Sequence, residues 1–411
     1  MMKKIYVAAS LVALCWPVLA LANDAADHKV DWSARARYAD FSADESARAA
    51  SLLLRLNLDS TWSETIDTHV QLDNVSRAFK NEHSDGVDLN GKPLIPDAGG
   101  FDINQVFVGL NYDSIRFQLG RQRINLDDQR FIGGNGFWQN EQTFDAALAK
   151  IKFLSNSQFT YAYVGNVNRI FGDRADKRLD PDDEGYNWWD GARPAAMLGD
   201  HRHRTHIAQL NYNEWDYSQV TAYVYAMDNK TLPGTSNNTF GANYNFTYKM
   251  DSIKYQLKIE SALQKQPELN DSPLLTYYLI NANIGLGRFE FVGRYEVLSH
   301  KEGVNFITPL ASFHDFQGAA GMIQNYAAKG LNDSSVGFTW RATPFKLETR
   351  YHQFRTYTSN TYLADEFDVS ISYRPNRKHT VTLLAAYFEP DDKSNSNHSV
   401  RKIYLDYAYN F

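Results

Sequence analysis

Apolar and polar residues alternate with a period of two through most of this chain. At its end, Ile403, Leu405, Tyr407, Tyr409 and Phe411 take every second position behind Lys402, Tyr404, Asp406, Ala408 and Asn410. The same pattern sets Val30, Trp32, Ala34, Ala36 and Tyr38 against Asp31, Ser33, Arg35 and Arg37. It also sets Leu52, Leu54, Leu56 and Leu58 against Arg55, Asn57 and Asp59. It returns at Ile253 to Glu260, at Arg288 to Val297 and at Phe345 to His352. Successive strand residues point to opposite faces, so each such segment predicts a strand with one apolar and one polar face. Eighteen segments of about ten residues can be counted, and that length is what a tilted strand needs to cross a bilayer. Some, such as Thr380 to Phe388, alternate poorly and are placed by their position between turns.

The connections alternate in length. Short ones include Tyr112-Asp113-Ser114, Leu154 to Ser157, Gly285-Leu286-Gly287 and Thr343-Pro344, and between them lie polar stretches over 73–101, 123–144, 166–204, 227–238, 262–273, 299–332, 355–364 and 389–399. In a soluble β-sandwich the polar face would be the exposed one, and loops would not lengthen at one end only. A bilayer offers no water to backbone groups, so strands cross it only in a closed sheet. The expected fold is therefore all-β: a transmembrane antiparallel β-barrel of about 18 strands. It has long extracellular loops, short periplasmic turns and both termini in the periplasm. A barrel of that size encloses an aqueous lumen.

Export fits this reading. Residues 1–22 read as a signal peptide, with Lys3 and Lys4 ahead of an apolar stretch and Ala20-Leu21-Ala22 as the cleavage pattern, leaving 23–411 as one barrel domain. The only cysteine, Cys15, lies in that signal, which removes disulfides, thiolate metal sites and thiol catalysis from the mature protein. Past residue 22 there is no apolar run of 18 residues, so no helical span is expected. Aromatic residues make up 14%, with 25 Tyr and 24 Phe, which suits interfacial girdles. The net charge of −6 becomes about −8 without Lys3 and Lys4, which argues against nucleic acid as a partner. The expected surroundings are outer-membrane lipid and lipopolysaccharide, reached through the barrel insertion machinery by way of Phe411.

Two blocks resemble the alginate export porin family. The first is Gly120-Arg121-Gln122 with Asp127, Asp128-Gln129-Arg130-Phe131-Ile132-Gly133, Trp138-Gln139-Asn140 and Thr143-Phe144-Asp145. The second runs Thr308-Pro309-Leu310-Ala311-Ser312-Phe313-His314-Asp315-Phe316-Gln317-Gly318, followed by Gly330-Leu331-Asn332-Asp333. The resemblance implies a monomeric outer-membrane barrel whose best-known relatives export alginate passively through an arginine-lined constriction. The chain departs from the family where tryptophan-alanine-aspartate is usual and Ala319-Ala320-Gly321 stand instead.

If the apolar parity faces lipid, the other parity lines the lumen, and it carries Arg55, Arg116, Lys254, Arg288, Arg294 and Arg350. Fewer acids share it, so the wall leans basic although the chain is acidic, and a narrow lumen focuses the field of its wall. The bland reading of each arginine is a cross-strand salt bridge, as Arg288, Glu290, Arg294 and Glu296 suggest. Arg121, Arg123 and Arg130 are the motif candidates, because they lead into a loop with Gly133, Gly134 and Gly136, a composition that permits a fold back into the pore. Asp127, Asp128, Trp138 and His314 are the further loop candidates, and pairing of Asp127 and Asp128 with Arg130 would simply hold the loop. The acids Asp173, Asp176, Asp180, Asp182, Asp183 and Glu184 lack the spacing of a calcium loop, and His201, His203 and His206 alternate with Arg202 and Arg204 as at a solvated strand entrance. No metal or cofactor is expected. Trp188 and Trp189 suit either sugar stacking or interfacial packing.

The alternative from another class is a barrel hydrolase, for which His314 with Asp315 is the tempting pair, but no G-x-S-x-G accompanies it. The expected role is a non-enzymatic channel for passive diffusion of small hydrophilic or anionic solutes, with oligo- or polysaccharide such as alginate among the candidates.

Overall fold

The computed structural model describes residues 26–79, 81–175, 195–269, 271–312, 314, 316–323, 329–391 and 398–411. The segment read as a signal lies outside them, as do Asp176, Asp180, Asp182, Asp183, Glu184, Trp188, Trp189 and Asp315. The described chain forms β1 (Asp27–Ser42), β2 (Ser46–Thr61), β3 (Ile66–Ala78), β4 (Gly100–Tyr112), β5 (Ile115–Gln122), β6 (Thr143–Lys152) and β7 (Gln158–Asn168). There follow β8 (Asp200–Trp215), β9 (Ser218–Met227), β10 (Asn237–Met250), β11 (Ile253–Lys265), β12 (Leu275–Leu286) and β13 (Phe289–Leu298). A small hairpin, β14 (His300–Lys301) and β15 (Val304–Asn305), precedes β16 (Leu331–Ala342), β17 (Phe345–Arg355), β18 (Tyr362–Tyr373), β19 (His379–Pro390) and β20 (Val400–Asn410).

All but β14 and β15 join one 18-stranded antiparallel sheet. It closes where β1, already paired with β2, also pairs with β20, with Ala34 opposite Tyr409 and Tyr38 opposite Leu405. Closure satisfies the backbone groups that an open edge would leave bare in lipid. The fold is the transmembrane barrel the alternation predicts.

Each strand turns its apolar row outward. Val30, Leu119, Leu210, Phe240, Ile280, Val336, Phe367 and Leu405 are exposed on that face, which in water would be an untenable apolar surface and in lipid is the required one. At the turn end the band finishes in aromatics. Trp32 stacks on Phe411 with centroids 5.5 Å apart, and Phe345 meets Tyr373 at 4.9 Å.

Turns at this end, such as 113–114, 216–217 and 343–344, are tight. The opposite end carries the long loops with one exception, since 43–45 joins β1 to β2 directly. Several loop boundaries also move. β3 continues to Ala78 and β8 begins at Asp200, so the sheet runs on into both stretches read as loops. His201, His203 and His206 are therefore strand residues, the first two buried.

Three loops descend into the lumen from the end that carries the long loops. Ile124, Leu126, Phe131 and Ile132 from 123–142 join Phe306, Leu310, Ala320 and Ile323 from 299–330 against Tyr223, Tyr225, Tyr277 and Leu279 of the inner wall in one buried cluster. Ile132 bridges Leu310, and the Gly133 N–H donates to the Leu310 carbonyl at 2.9 Å. Loop 79–99 adds Ile95, which packs with Phe41 and Tyr404 near Phe137 and Trp138. The upper lumen thus has a core of its own, built by loops.

Val336 is the most lipid-exposed residue near the middle of β16, at 62%. Replacing it by arginine should destabilise the barrel by about 2–4 kcal/mol, read as a lowered urea midpoint in liposome-reconstituted protein followed by tryptophan fluorescence.

Candidate functional site

The site is the constriction made by loop 123–142 and its seats on the wall. Arg55 and Asp73 lie opposite each other on β2 and β3, and Arg55 grips Asp73 with bonds of 2.8 and 2.7 Å. Its remaining nitrogen reaches Glu141 of the loop at 2.9 Å. Arg123, just past β5, donates to the other Glu141 oxygen from Nε at 2.7 Å and from Nη2. Burial pushes the Glu141 carboxyl upward, but the two guanidiniums outweigh it and hold the group at about 2. One carboxylate therefore ties both ends of the loop to the wall.

A second knot lies across the lumen. Arg130 is fully buried, donating from Nε to Glu296 of β13 at 2.5 Å and from Nη1 to Thr308 at 2.7 Å. Tyr277 donates to the same Glu296 oxygen at 2.8 Å and Arg294 at 3.2 Å. The Arg130 guanidinium also lies 5.0 Å from the Phe316 ring and 5.7 Å from Tyr277. A paired charge in such a place is expensive to form and costly to break.

Between the knots the loop tip reaches the wall as well. Asp127 accepts from Gln209 of β8 at 2.9 Å and Asn243 of β10 at 3.2 Å. Asp128 accepts from Lys258 of β11 at 2.7 Å, and Lys258 also meets Glu260 at 2.9 Å. Burial raises Asp127 to about 6; Lys258 opposes this, while Glu260 and Asp128 add to it. The tip thus carries a carboxyl held above the ordinary aspartate range and exposed on its surface.

Trp138 and His314 belong to an aromatic wall. His314 stacks on Phe137 with centroids 3.3 Å apart and meets Trp138 and Tyr404 edge-on at 5.8 Å each. Arg37 lies 4.3 Å from the Phe137 ring and is held by Asp406 at 2.7 Å and Asp97 at 3.6 Å. Burial drives His314 well below its ordinary range, so it is a neutral ring packed among rings. Arg35 donates to Gln139, to the Gly136 carbonyl and to the Trp138 carbonyl, fixing the same turn.

The second inward loop is seated on β18. The N–H groups of Ala319 and Ala320 donate to Asp368 at 3.1 Å and Glu366 at 2.7 Å. Gly318 has φ of +86°, and a Cβ there would run into the Glu366 carboxylate, so only glycine fits. The alanines and Gly321 that depart from the family pattern are part of this seat.

Below the constriction lies a cavity of about 540 Å³ lined by Asp128, Asn281, Asn283, Arg294, Thr339 and Arg350 among others. Its acids are engaged: Asp128 by Lys258, Glu290 by Arg341 at 2.8 Å, Glu348 by Lys346 at 2.7 Å, and Asp368 by the Ala319 N–H. Among the described residues Arg350 instead keeps one long hydrogen bond, 3.4 Å to Ser335.

The sequence candidates therefore separate. Arg55 and Arg123 meet on Glu141, and Arg130 and Arg294 meet on Glu296. Arg294, Arg350, Asp128 and His314 face one cavity. Arg116 lies near a tight turn and closes on Asp67 at 2.8 Å, Lys254 is the second residue of β11, and Arg288 is an exposed turn residue; these three stand at the mouth on the short-turn side. Arg121 is a correction. It continues the outward row of Phe117 and Leu119, sits opposite Val106 and Asp145, and binds Asp145 at 2.8 Å, so it belongs to the outer rim rather than the pore. Glu296, read from the sequence only as a salt-bridge partner on the wall, also receives Arg130, and Phe316 stood in the second block without an assigned role; Glu141 and Phe137 were not singled out from the sequence. Glu141 carried a signal there, standing beside the Trp138-Gln139-Asn140 block.

Residues 32–164 match the alginate export family, which bears out the resemblance for that part of the chain. No curated protein matches the sequence. Among solved structures, OccAB4 of Acinetobacter baumannii superposes with a TM-score of 0.71 at 10% identity, covering 94% of this chain and 98% of that one. OpdL of Pseudomonas aeruginosa gives 0.67 at 11% identity, covering 94% and 99%. OpdK of the same organism, crystallised with vanillate, gives 0.69 at 12% identity, covering 94% and 98%. The fold is that of the outer-membrane porins.

Two outcomes test the site. Arg130→Met leaves Glu296 with Arg294 and Tyr277 only; it should cost about 3 kcal/mol and raise single-channel current noise as the loop loosens. Asp127 is neutral below about pH 6 and charged above it, so anion preference should fall as pH rises from 5 to 7 in reversal-potential measurements, and Asp127→Asn should flatten that profile.

Proposed function

We infer that the chain is a passive outer-membrane channel for small hydrophilic solutes with a preference for anions. The observation that carries this reading is the charge state of the cavity below the constriction: among the described residues its carboxylates are engaged by wall cations and backbone amides, while Arg350 makes one hydrogen bond, 3.4 Å to Ser335. An anion entering that space meets a guanidinium with donors to spare, and a cation meets carboxylates already taken. No energy source enters the mechanism. Solutes move down their gradient, sieved by the inward loops and biased by Arg350 and by Lys254 at the periplasmic mouth.

The core that loops 123–142 and 299–330 build in the upper lumen favours small solutes over a polymer such as alginate, since a polysaccharide needs a continuous open path. Export by the segment 1–22, insertion through Phe411 and a monomeric state complete the reading. The fold it shares with OpdK, a porin crystallised with vanillate, is compatible with a small organic solute.

The test is the reversal potential of the mature protein in planar bilayers under a salt gradient, repeated with small organic carboxylates and with oligouronate. Anion-selective conductance, reduced several-fold in selectivity by Arg350→Gln, is the expected result. Block by oligouronate at low concentration would favour the alginate reading, and absence of conductance would end the channel reading.

A further inference from the structure

A basic patch on the outer surface has no part in the lumen. Along β8, His201, His203, Thr205 and Ile207 are buried inside, so Arg202, Arg204 and His206 point outward. The register extends this row. His206 lies opposite Ala226, Ala226 opposite Asn238, and Asn238 opposite Lys265 of β11. Above them Arg204 N–H donates to the Asp228 carbonyl at 2.9 Å and Lys230 N–H to the Arg202 carbonyl at 2.8 Å, which sets Lys230 beside Arg202. Asp228 is taken by Lys230 at 2.6 Å. No carboxylate among the described residues lies within ion-pair distance of Arg202, Arg204 or Lys265.

The row directly beneath is apolar. Ala208, Val224, Phe240 and Leu263 stand opposite one another across β8 to β11, with Val224 49% and Phe240 59% exposed. Arg204 lies eleven residues above Trp215, the outward aromatic at the other end of β8, and about 9–11 tilted residues span the hydrocarbon. The arginines are thus at head-group height, and the apolar row is where acyl chains begin. Tyr161, whose hydroxyl bonds His206 Nδ1 at 2.8 Å, and Tyr163, 5.2 Å from the same ring, flank the boundary.

We propose that Arg202, Arg204 and Lys265 form a binding site for the phosphoryl groups of a phosphorylated glycolipid in the outer leaflet, its acyl chains lying on Phe240, Val224 and Leu263. Guanidinium and phosphate match in charge and in fork geometry. The neighbouring apolar row discriminates a lipid from a free anion. By contrast Arg48 and Arg121, outward at the same end of β2 and β5, are already bound to Glu82 and Asp145. The proposal rests on the outer-membrane location inferred above.

The test is native mass spectrometry of the mature protein released from detergent after titration with bis-phosphorylated lipid A, beside an R202A/R204A variant. Wild type should retain the lipid at least about tenfold more tightly than the variant, lipid A stripped of phosphate should be held no better than by the variant, and R202K/R204K should recover part of the retention. Equal retention by wild type and R202A/R204A, or retention indifferent to the phosphates, overturns the site. Displacement by inorganic phosphate overturns the lipid assignment. Bilayer conductance of the same samples keeps the two readings apart. A wild type that conducts but shows no phosphate-dependent retention refutes only this site, whereas a silent one refutes the channel reading whatever the lipid result.

Discussion

The pairing of β1 with β20 is the contact on which the rest depends. Without it the sheet has two bare edges in lipid and no inside. With it, every strand acquires a lipid side and a water side, and the polar residues of the chain have one place to go. The lumen so formed is enclosed enough that loops entering it can fold as if in a protein interior. That is why Arg130 and Glu296, far apart in sequence, meet fully buried in a molecule whose middle would otherwise be water.

The charges inside fall into two groups with different work. Arg55, Arg123 and Arg130 spend their bonding capacity on Glu141, Asp73 and Glu296, and so hold the loops in position while adding little net field. Among the described residues Arg350 and Lys254 are left open to what passes. A count of basic residues on the wall mixes the two groups, and only the contacts separate them.

Much of the barrel was legible because lipid on one side and water on the other impose a period of two, as in Val30 to Tyr38 or Ile253 to Glu260. The strand around Thr380 to Phe388 read poorly for a physical reason: Ala386 and Phe388 face inward but meet the loop core, so both faces of β19 are apolar there. The inward loop was legible only as a glycine-rich composition, and its anchors were not, since Arg130 to Glu296 spans 166 positions and no local pattern encodes a pair so separated. Arg121 was misplaced because the motif was followed instead of the parity it shares with Phe117 and Leu119.

The seam also governs how such a wall is assembled. Each of its other pairings joins strands that follow one another along the chain, across a turn or a loop, so each forms by local closure. At the seam alone the partners are distant: Arg37 and Asp406, bound there, are 369 positions apart. The entropy of that final closure is met only once the intervening strands have already drawn the two ends together. Loop-closure entropy therefore favours a cylinder zipped from hairpins and closed last by its first and last strands, and without β20 the pairing that closes it is missing.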